Sequence, residues 1–381
     1  MSPTYAVLTP GDPAPWFRQR STSNPTYAFD TAAGRHIVLC FFGSAADARA
    51  KTALRAVLAN RTLFDDRQLC FFGVSIDPAD EARLRASIPG IRFFWDFDRS
   101  VSRTYGAVAI DASDGEPLPL MRQFWLLLDP VLRVIAVVPF AADGSDVEAI
   151  FSRLQHLPAL GHHDGSQLPI PVLWLANVFE RDLCRALIDV YKAQGGRESG
   201  FMRDVGGKTA LIEDHHHKRR RDSAVSDPKL MKLIQQRVLR RIAPEILKIH
   251  HFKVTRMERY IVACYSSEDG GHFRAHRDNT TKGTAHRRFA VSINLNDEFE
   301  GGAISFPEYG PQEFRPPAGG AVVFSCSMLH AVSPVTTGHR FAFLPFLYDD
   351  AAAKIREANH HFLDTGDEYK ADRTGDRNDQ H

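Results

Sequence analysis

Around residues 159 to 172 the spacing of apolar residues in this chain changes character, and the two sides of the change read as different architectures. Before it, short β-rich runs alternate with helical patterns. HIVLCFFG (36 to 43) and QLCFFGVSID (68 to 77) are strands, KTALRAVLANR between them is an amphipathic helix, and RFFWDFD, a helical VSRTYGA and QFWLLLDPVLRVIAVVPF follow. That order predicts an α/β fold around a mixed sheet. After it, two amphipathic helices, 178 to 195 and 227 to 250, precede many short strands: TRMERYIVACYS, RRFAVSINLN, GGAISFPE, a run within Gly319 to Ser327, and HRFAFLPFLYD. Short strands with Gly and Pro turns, backed by helices, predict a β-barrel or double-sheet jelly roll. LGHHDGSQLPIPVL at 159 to 172, rich in Gly, His and Pro, reads as the linker. The chain of 381 residues is thus expected to form a domain over 1–158, a linker over 159–172, a second domain over 173–350 and a polar, frayed tail over 351–381.

Forty-seven basic residues against 46 acidic ones leave a net charge of +1, so no global field would draw the protein to nucleic acid or an anionic membrane. The first residues, MSPTYAVLTPGDPAPWF, show neither a basic nor an apolar leader region, and every apolar stretch is interrupted before membrane-spanning length. A cytoplasmic location is expected. Cys40, Cys70, Cys184, Cys264 and Cys326 are odd in number and widely spaced, as expected of buried free thiols. His162 and His163 in the linker have no third ligand near them in sequence and read as solvated.

The strand-loop FFGSAADARAKTAL, GVSID at 73 to 77, WDFDRSVSRTYGA at 95 to 107 and FWLLLDP at 124 to 130 make the first half resemble the thioredoxin-like fold, specifically peroxiredoxin-type domains. The resemblance implies a reactive cysteine in the loop Gly43 to Ala48, and that loop has none. Thiol peroxidase or exchange chemistry needs a thiolate there. Cys40 lies too early, inside the strand, where burial would leave it inert. A redoxin without its nucleophile is expected to dock, or to help shape a substrate cleft.

In YSSEDGGHFRAHRDN, His276 and Asp278 are two residues apart and would share a face at a strand end. His330 lies 52 residues beyond Asp278, in SCSMLHAVSP. Two histidines and one carboxylate leave open positions on a non-haem iron. H-x-D alone occurs often by chance. What adds weight is the run from His330 through Pro334, Val335 and Gly338 to Arg340, H-x-x-x-P-V-x-x-G-x-R, because an arginine ten residues on can sit on the neighbouring strand and offer its fork to a carboxylate. Together with Tyr265 in VACYSSEDGG, SINLN at 292 to 296 and GGAISFPEYG at 301 to 310, these residues make 172 to 350 resemble the prolyl hydroxylase-type 2-oxoglutarate and Fe(II) dioxygenases. The resemblance implies a double-stranded β-helix with iron on His276, Asp278 and His330, Arg340 and Tyr265 on the far carboxylate of 2-oxoglutarate, and Asn294 facing that cosubstrate where relatives often have tyrosine. Fe(II), 2-oxoglutarate and O2 are the implied cofactors, with L-ascorbate as accompanying reductant. Because Asp278 is present rather than a small residue, hydroxylation is expected and not halogenation.

EDHHHKRRRD (213 to 222) would ordinarily be a solvated loop, since three adjacent histidines cannot easily converge on one ion. Relatives place a mobile substrate-covering segment here, which makes Arg221 and Asp222 the residues of this stretch that would touch substrate. His272, His286, His360 and His361 read as structural or exposed. The expected activity is hydroxylation of a peptidyl residue such as proline, or of a small molecule. Two other readings stand beside it: a redoxin-type thiol peroxidase with a non-catalytic binding barrel, and a binding scaffold without catalysis.

Overall fold

The computed structural model describes residues 3–112, 121–163 and 165–364. The chain divides into two compact units, residues 1–169 with 307–311, and 170–306 with 312–381.

His36–Gly43 is buried from end to end, which is what a strand covered on both faces requires, and it lies at the centre of the first unit's five-stranded sheet. The order is Ile91–Trp95, Leu69–Ser75, His36–Gly43, Phe124–Leu128, Val134–Pro139. The first three run parallel, and Phe124–Leu128 pairs antiparallel with both His36–Gly43 and Val134–Pro139. Asp47 starts the helix Ala48–Ala59 by accepting the amide protons of Arg49 and Ala50, and the helix buries Ala50, Ala53, Leu54 and Val57 on the sheet. Trp125, fully buried, keeps its indole N–H satisfied by donating to Asp146 at 2.8 Å.

In the second unit the helix expected over 227 to 250 is two helices, Pro228–Arg241 and Ala243–His250. Pro244 supplies the reason, since it lacks an N–H and its ring crowds the carbonyl one turn back. A large sheet has the path Leu173–Leu175, Ala321–Ser325, Phe289–Asn294, Val335–Phe343, Ile261–Ser266, Arg221–Ala224, Arg197–Glu198. A smaller sheet has the order Lys218–Arg219, His272–His276, His330–Val332, Ile304–Ser305, Glu313–Phe314. Alternation along Phe289–Asn294 separates two environments. Val291 and Ile293 pack with Leu183, Leu187, Ile234, Val238 and Ile246 of the helices, while Ser292 and Asn294 point to the other face. There Phe324 of the large sheet meets His330 and Phe306 at ring distances of 4.6 and 5.0 Å, so the two sheets face one another.

Within the linker, His162–His163 pairs with Ser166–Gln167 as a short hairpin, and both histidines are exposed. Two further expectations, on the tail and on the stretch 213 to 222, are corrected. The tail begins with an α-helix, Asp350–Asn359, started by Asp349 accepting from the Ala352 amide; the rest of the expected frayed tail, from 365 on, lies outside the described residues. The stretch 213 to 222 is not a loop throughout: Lys218–Arg219 joins the small sheet beside Phe273 and His272, and Arg221 begins a strand of the large one.

At the end of the strand Arg256–Glu258, Glu258, 6% exposed, accepts from Arg287 Nε at 2.8 Å, pairs with His286 Nε2 at 2.9 Å and has Arg356 Nε 3.6 Å away. Burial alone would raise its pKa, but Arg287 and His286 outweigh burial and hold it below the usual carboxylate range. Glu258→Gln is expected to cost about 3–5 kcal/mol in urea unfolding, because it strands buried cations. A depressed carboxyl pKa stabilises the fold above the unfolded value of about 4.3, and that contribution fades as pH falls through the folded value. The wild-type advantage over Glu258→Gln is therefore expected to shrink in acid.

Candidate metal centre

His276 ends its strand opposite His330, and the pair are direct register partners across the small sheet. A one-residue irregularity between Phe273 and His276 lets both side chains face inward, and the Phe273 ring stacks on the His276 imidazole at 3.5 Å. Asp278 lies just beyond the strand, where its amide donates to Cys326 O at 2.9 Å and Arg287 Nη1 donates to its carbonyl at 3.4 Å. The spacing of two that suggested a shared face thus works through a strand end plus a tethered turn.

Each histidine is oriented the same way. His276 Nδ1 donates to Arg274 O at 2.8 Å and His330 Nδ1 to Met328 O at 3.0 Å, which leaves Nε2 of both rings as the lone-pair nitrogen. Those Nε2 atoms stand 3.6 and 3.4 Å from the two Asp278 oxygens, with one ligand atom from each of the three residues within 4.8 Å of the others. Neighbouring ligands on one first-row ion, each about 2.1 Å from it, stand roughly 3 Å apart or more, so the trio suits a single divalent metal. Burial, then the neighbouring His330, push His276 down to about 4. It is neutral near pH 7 and its lone pair is available. For Asp278 burial acts upward, but His330 and His276 outweigh it and the carboxyl stays ionised, well below the usual range.

Arg340 lies in the interior between the sheets, 1% exposed, paired in register with Tyr265. Its Nε donates to Asn294 Oδ1 at 3.0 Å and its Nη2 to Ser292 Oγ at 2.8 Å. Nη1 is buried and has no hydrogen-bond partner among the described residues. Burial, with Arg220 adding to it, lowers the pKa to about 10, which still leaves a cation at neutral pH. A buried guanidinium held by neutral groups and with one donor open is costly on its own and fits an incoming carboxylate. Gly302, at φ +62°, closes one side: a Cβ there would come 3.0 Å from Arg340 Cδ and 2.9 Å from Val335 Cγ2.

The residues singled out in the sequence therefore fall into two groups. His276, Asp278 and His330 come together, and Arg340, Asn294 and Tyr265 come together, the Arg340 guanidinium carbon lying 5.3 Å from the Tyr265 ring centre. Arg221 and Asp222 join neither. Arg221 is exposed, with Glu198 3.7 Å away, and the Asp222 carboxylate is taken up by Arg220 at 2.6 and 2.7 Å and by the Ser199 hydroxyl at 2.6 Å. The solvated reading of the basic run also fails for Lys218 and Arg220, which are 4% exposed. Of the histidines there, His217 packs against Phe201 with ring centres 4.4 Å apart and planes tilted by 53°, and lies 6.4 Å from His276, ring to ring. Ser292 and Arg220 were missed by the sequence reading. The signal for Ser292 was present, two polar residues at alternate positions, 292 and 294, within an apolar strand.

Residues 260–348 match the model of the 2OG-Fe(II) oxygenase superfamily. A PKHD-type hydroxylase of Cupriavidus metallidurans is 38% identical over 85 residues, 20% of this chain and 37% of that protein. One of Paraburkholderia phymatum is 39% identical over 84 residues, again 20% and 37%. The chain thus spans little more than a third of the length of these curated relatives. Among solved structures, it is similar to a prolyl hydroxylase from Trichoplax adhaerens in complex with a peptide fragment of the hypoxia inducible factor oxygen degradation domain, with TM-score 0.40, 16% identity, and coverage of 49% of this chain and 86% of that one. A Pseudomonas putida prolyl-4-hydroxylase gives TM-score 0.34 and 17% identity, covering 46% and 91%. Among the described residues no helix is long and apolar enough to cross a membrane. Residues 260–348, the span that contains both histidines, the aspartate and the arginine, are thus a 2OG-Fe(II) oxygenase domain, of the kind whose metal is Fe(II) and whose cosubstrates are 2-oxoglutarate and O2.

Proposed function

We propose that the protein is a prolyl hydroxylase-type dioxygenase that hydroxylates a peptidyl residue, such as proline, or a small molecule. Substrate C–H, 2-oxoglutarate and O2 become C–OH, succinate and CO2. The observation that carries the reading is the open, buried Nη1 of Arg340 in the same barrel as the His276, Asp278 and His330 trio. Fe(II) held by that trio would supply O2 activation coupled to decarboxylation of the cosubstrate. His276, Asp278 and His330 would hold the ion, and their backbone tethers keep Nε2 and the carboxylate aimed without reorganisation. Arg340, Ser292 and Asn294 fix the far carboxylate in a site too buried for water to compete freely. The test is anaerobic addition of Fe(II) and 2-oxoglutarate, watching for the visible charge-transfer band of the chelate, then substrate search by succinate release. Absence of the band with metal unbound would reduce the barrel to a scaffold.

For the N-terminal unit we infer a redoxin-like domain without thiol chemistry. In support, the Gly43 to Ala48 loop has no cysteine, burial pushes the Cys40 thiol well above its usual range and Cys70 up to about 12. Metal-free protein is expected to consume no hydrogen peroxide above a buffer control, and consumption lost in Cys40→Ser would restore the peroxidase reading.

A further inference from the structure

The Tyr265 hydroxyl is met by a second guanidinium from the basic run. Arg220 Nη1 donates to Tyr265 Oη at 3.4 Å, while Arg220 Nε and Nη2 donate to the two Asp222 oxygens at 2.7 and 2.6 Å. Asp222 is in turn anchored by Ser199, and Ser199 by Lys218 Nζ at 2.7 Å. Arg220 and Arg340 lie on Tyr265 with guanidinium carbons 5.7 and 5.3 Å from its ring centre.

A guanidinium only donates, so the hydroxyl oxygen that receives Arg220 acts there as an acceptor and its own proton must point elsewhere. The same logic applies to Ser292, whose oxygen receives Arg340 Nη2. Two hydroxyl protons and the open Arg340 Nη1 are then donors awaiting an acceptor. We propose that Arg220, clamped by Asp222, is a positioning residue that turns the Tyr265 hydroxyl into a donor toward the far carboxylate of 2-oxoglutarate, with the Ser292 hydroxyl as a further donor to the same group. The inference rests on the dioxygenase reading above. Arg220 touches neither cosubstrate nor metal and acts through Tyr265 alone. The run that looked like a solvated loop thereby supplies the cosubstrate site with its orientation.

The experiment is a double-mutant cycle in the full-length protein: wild type, Arg220→Met, Tyr265→Phe and the double variant. Each is titrated anaerobically with 2-oxoglutarate in the presence of Fe(II), and KM and kcat are then measured by succinate release. Either single change is expected to weaken 2-oxoglutarate about tenfold, the double no more than either, with kcat at saturating cosubstrate within about twofold of wild type. A structural role alone would lower the folded fraction and kcat and add to Tyr265→Phe. Additive losses, or an unchanged affinity in a folded Arg220→Met protein, would overturn the proposal. Since Arg220→Met strands a buried Asp222 charge, Arg220→Met with Asp222→Asn is carried in parallel; restored folding with weak 2-oxoglutarate binding supports the proposal, and restored binding overturns it. Ser292→Ala, expected to weaken the cosubstrate several-fold, tests the further donor, and unchanged affinity removes it. A wild-type protein that forms no band at all would instead defeat the dioxygenase reading.

Discussion

Arg340→Met is expected to have effects of opposite sign on stability and on cosubstrate binding. Without ligand, the wild-type guanidinium is a buried cation whose Nε and Nη2 donate to the neutral Asn294 and Ser292 while Nη1 has no partner. Methionine of similar length removes that desolvated charge, so the ligand-free variant is expected to be more stable than wild type, by about 1–3 kcal/mol in urea unfolding. Charge-assisted bonds to a carboxylate are worth about 1.5–3 kcal/mol, so the same change should weaken 2-oxoglutarate by roughly 10- to 150-fold and abolish its stabilisation of the fold at moderate concentration. Arg340→Lys should not restore binding, because a single ammonium cannot hold Asn294, Ser292 and the ligand together with one planar fork. A variant less stable than wild type and still binding cosubstrate tightly would show that the guanidinium has a purely structural role.

His330→Ala is the second large effect. Losing a partner one shell out from a metal costs roughly 10- to 100-fold in affinity, and losing a ligand itself should exceed that. The charge-transfer band is expected to vanish at Fe(II) concentrations that saturate wild type, and turnover with it. Folding should survive, since a truncated ring leaves its strand paired to His276 and to Ile304–Ser305 through backbone bonds. Persistence of the band would move the metal away from this trio. His276→Ala is expected to behave alike, and would in addition free the face of Phe273 that now carries the imidazole.

The parts of the architecture that were legible in the sequence are those where burial is two-sided or periodic. HIVLCFFG could only be a central strand, and the recurrence of Leu183, Leu187, Ile234 and Val238 at helical spacing announced the two long helices. The hairpin Phe201–Val205 with Lys208–Ile212 passed unnoticed because FMRDV and KTALI mix charged and apolar residues, though Gly206-Gly207 between them is a two-residue turn signal. Lys218 and Arg220 are the harder failure. Nothing local distinguishes a lysine in a basic run that is solvated from one that donates to Gly200 O at 2.5 Å and Ser199 Oγ at 2.7 Å inside the protein, because the partners come from a separate segment, between the strands Arg197–Glu198 and Phe201–Val205. For the candidate site, residue types and spacing pointed to His276, Asp278, His330 and Arg340, whereas the proposed contributions of Ser292 and Arg220 work through hydrogen-bond direction, which sequence spacing does not encode.

The metal trio and the arginine stand on different sheets. His276 and His330 belong to the small one; Arg340, Ser292, Asn294 and Tyr265 belong to the large one. Facing sheets keep a separation of roughly 10 Å, and a diacid held by the metal at one end and by Arg340 at the other, as proposed above, would have to bridge it. On the proposed reading the cosubstrate would span that gap, so diacids one carbon shorter or longer than 2-oxoglutarate are expected to bind more weakly than it does.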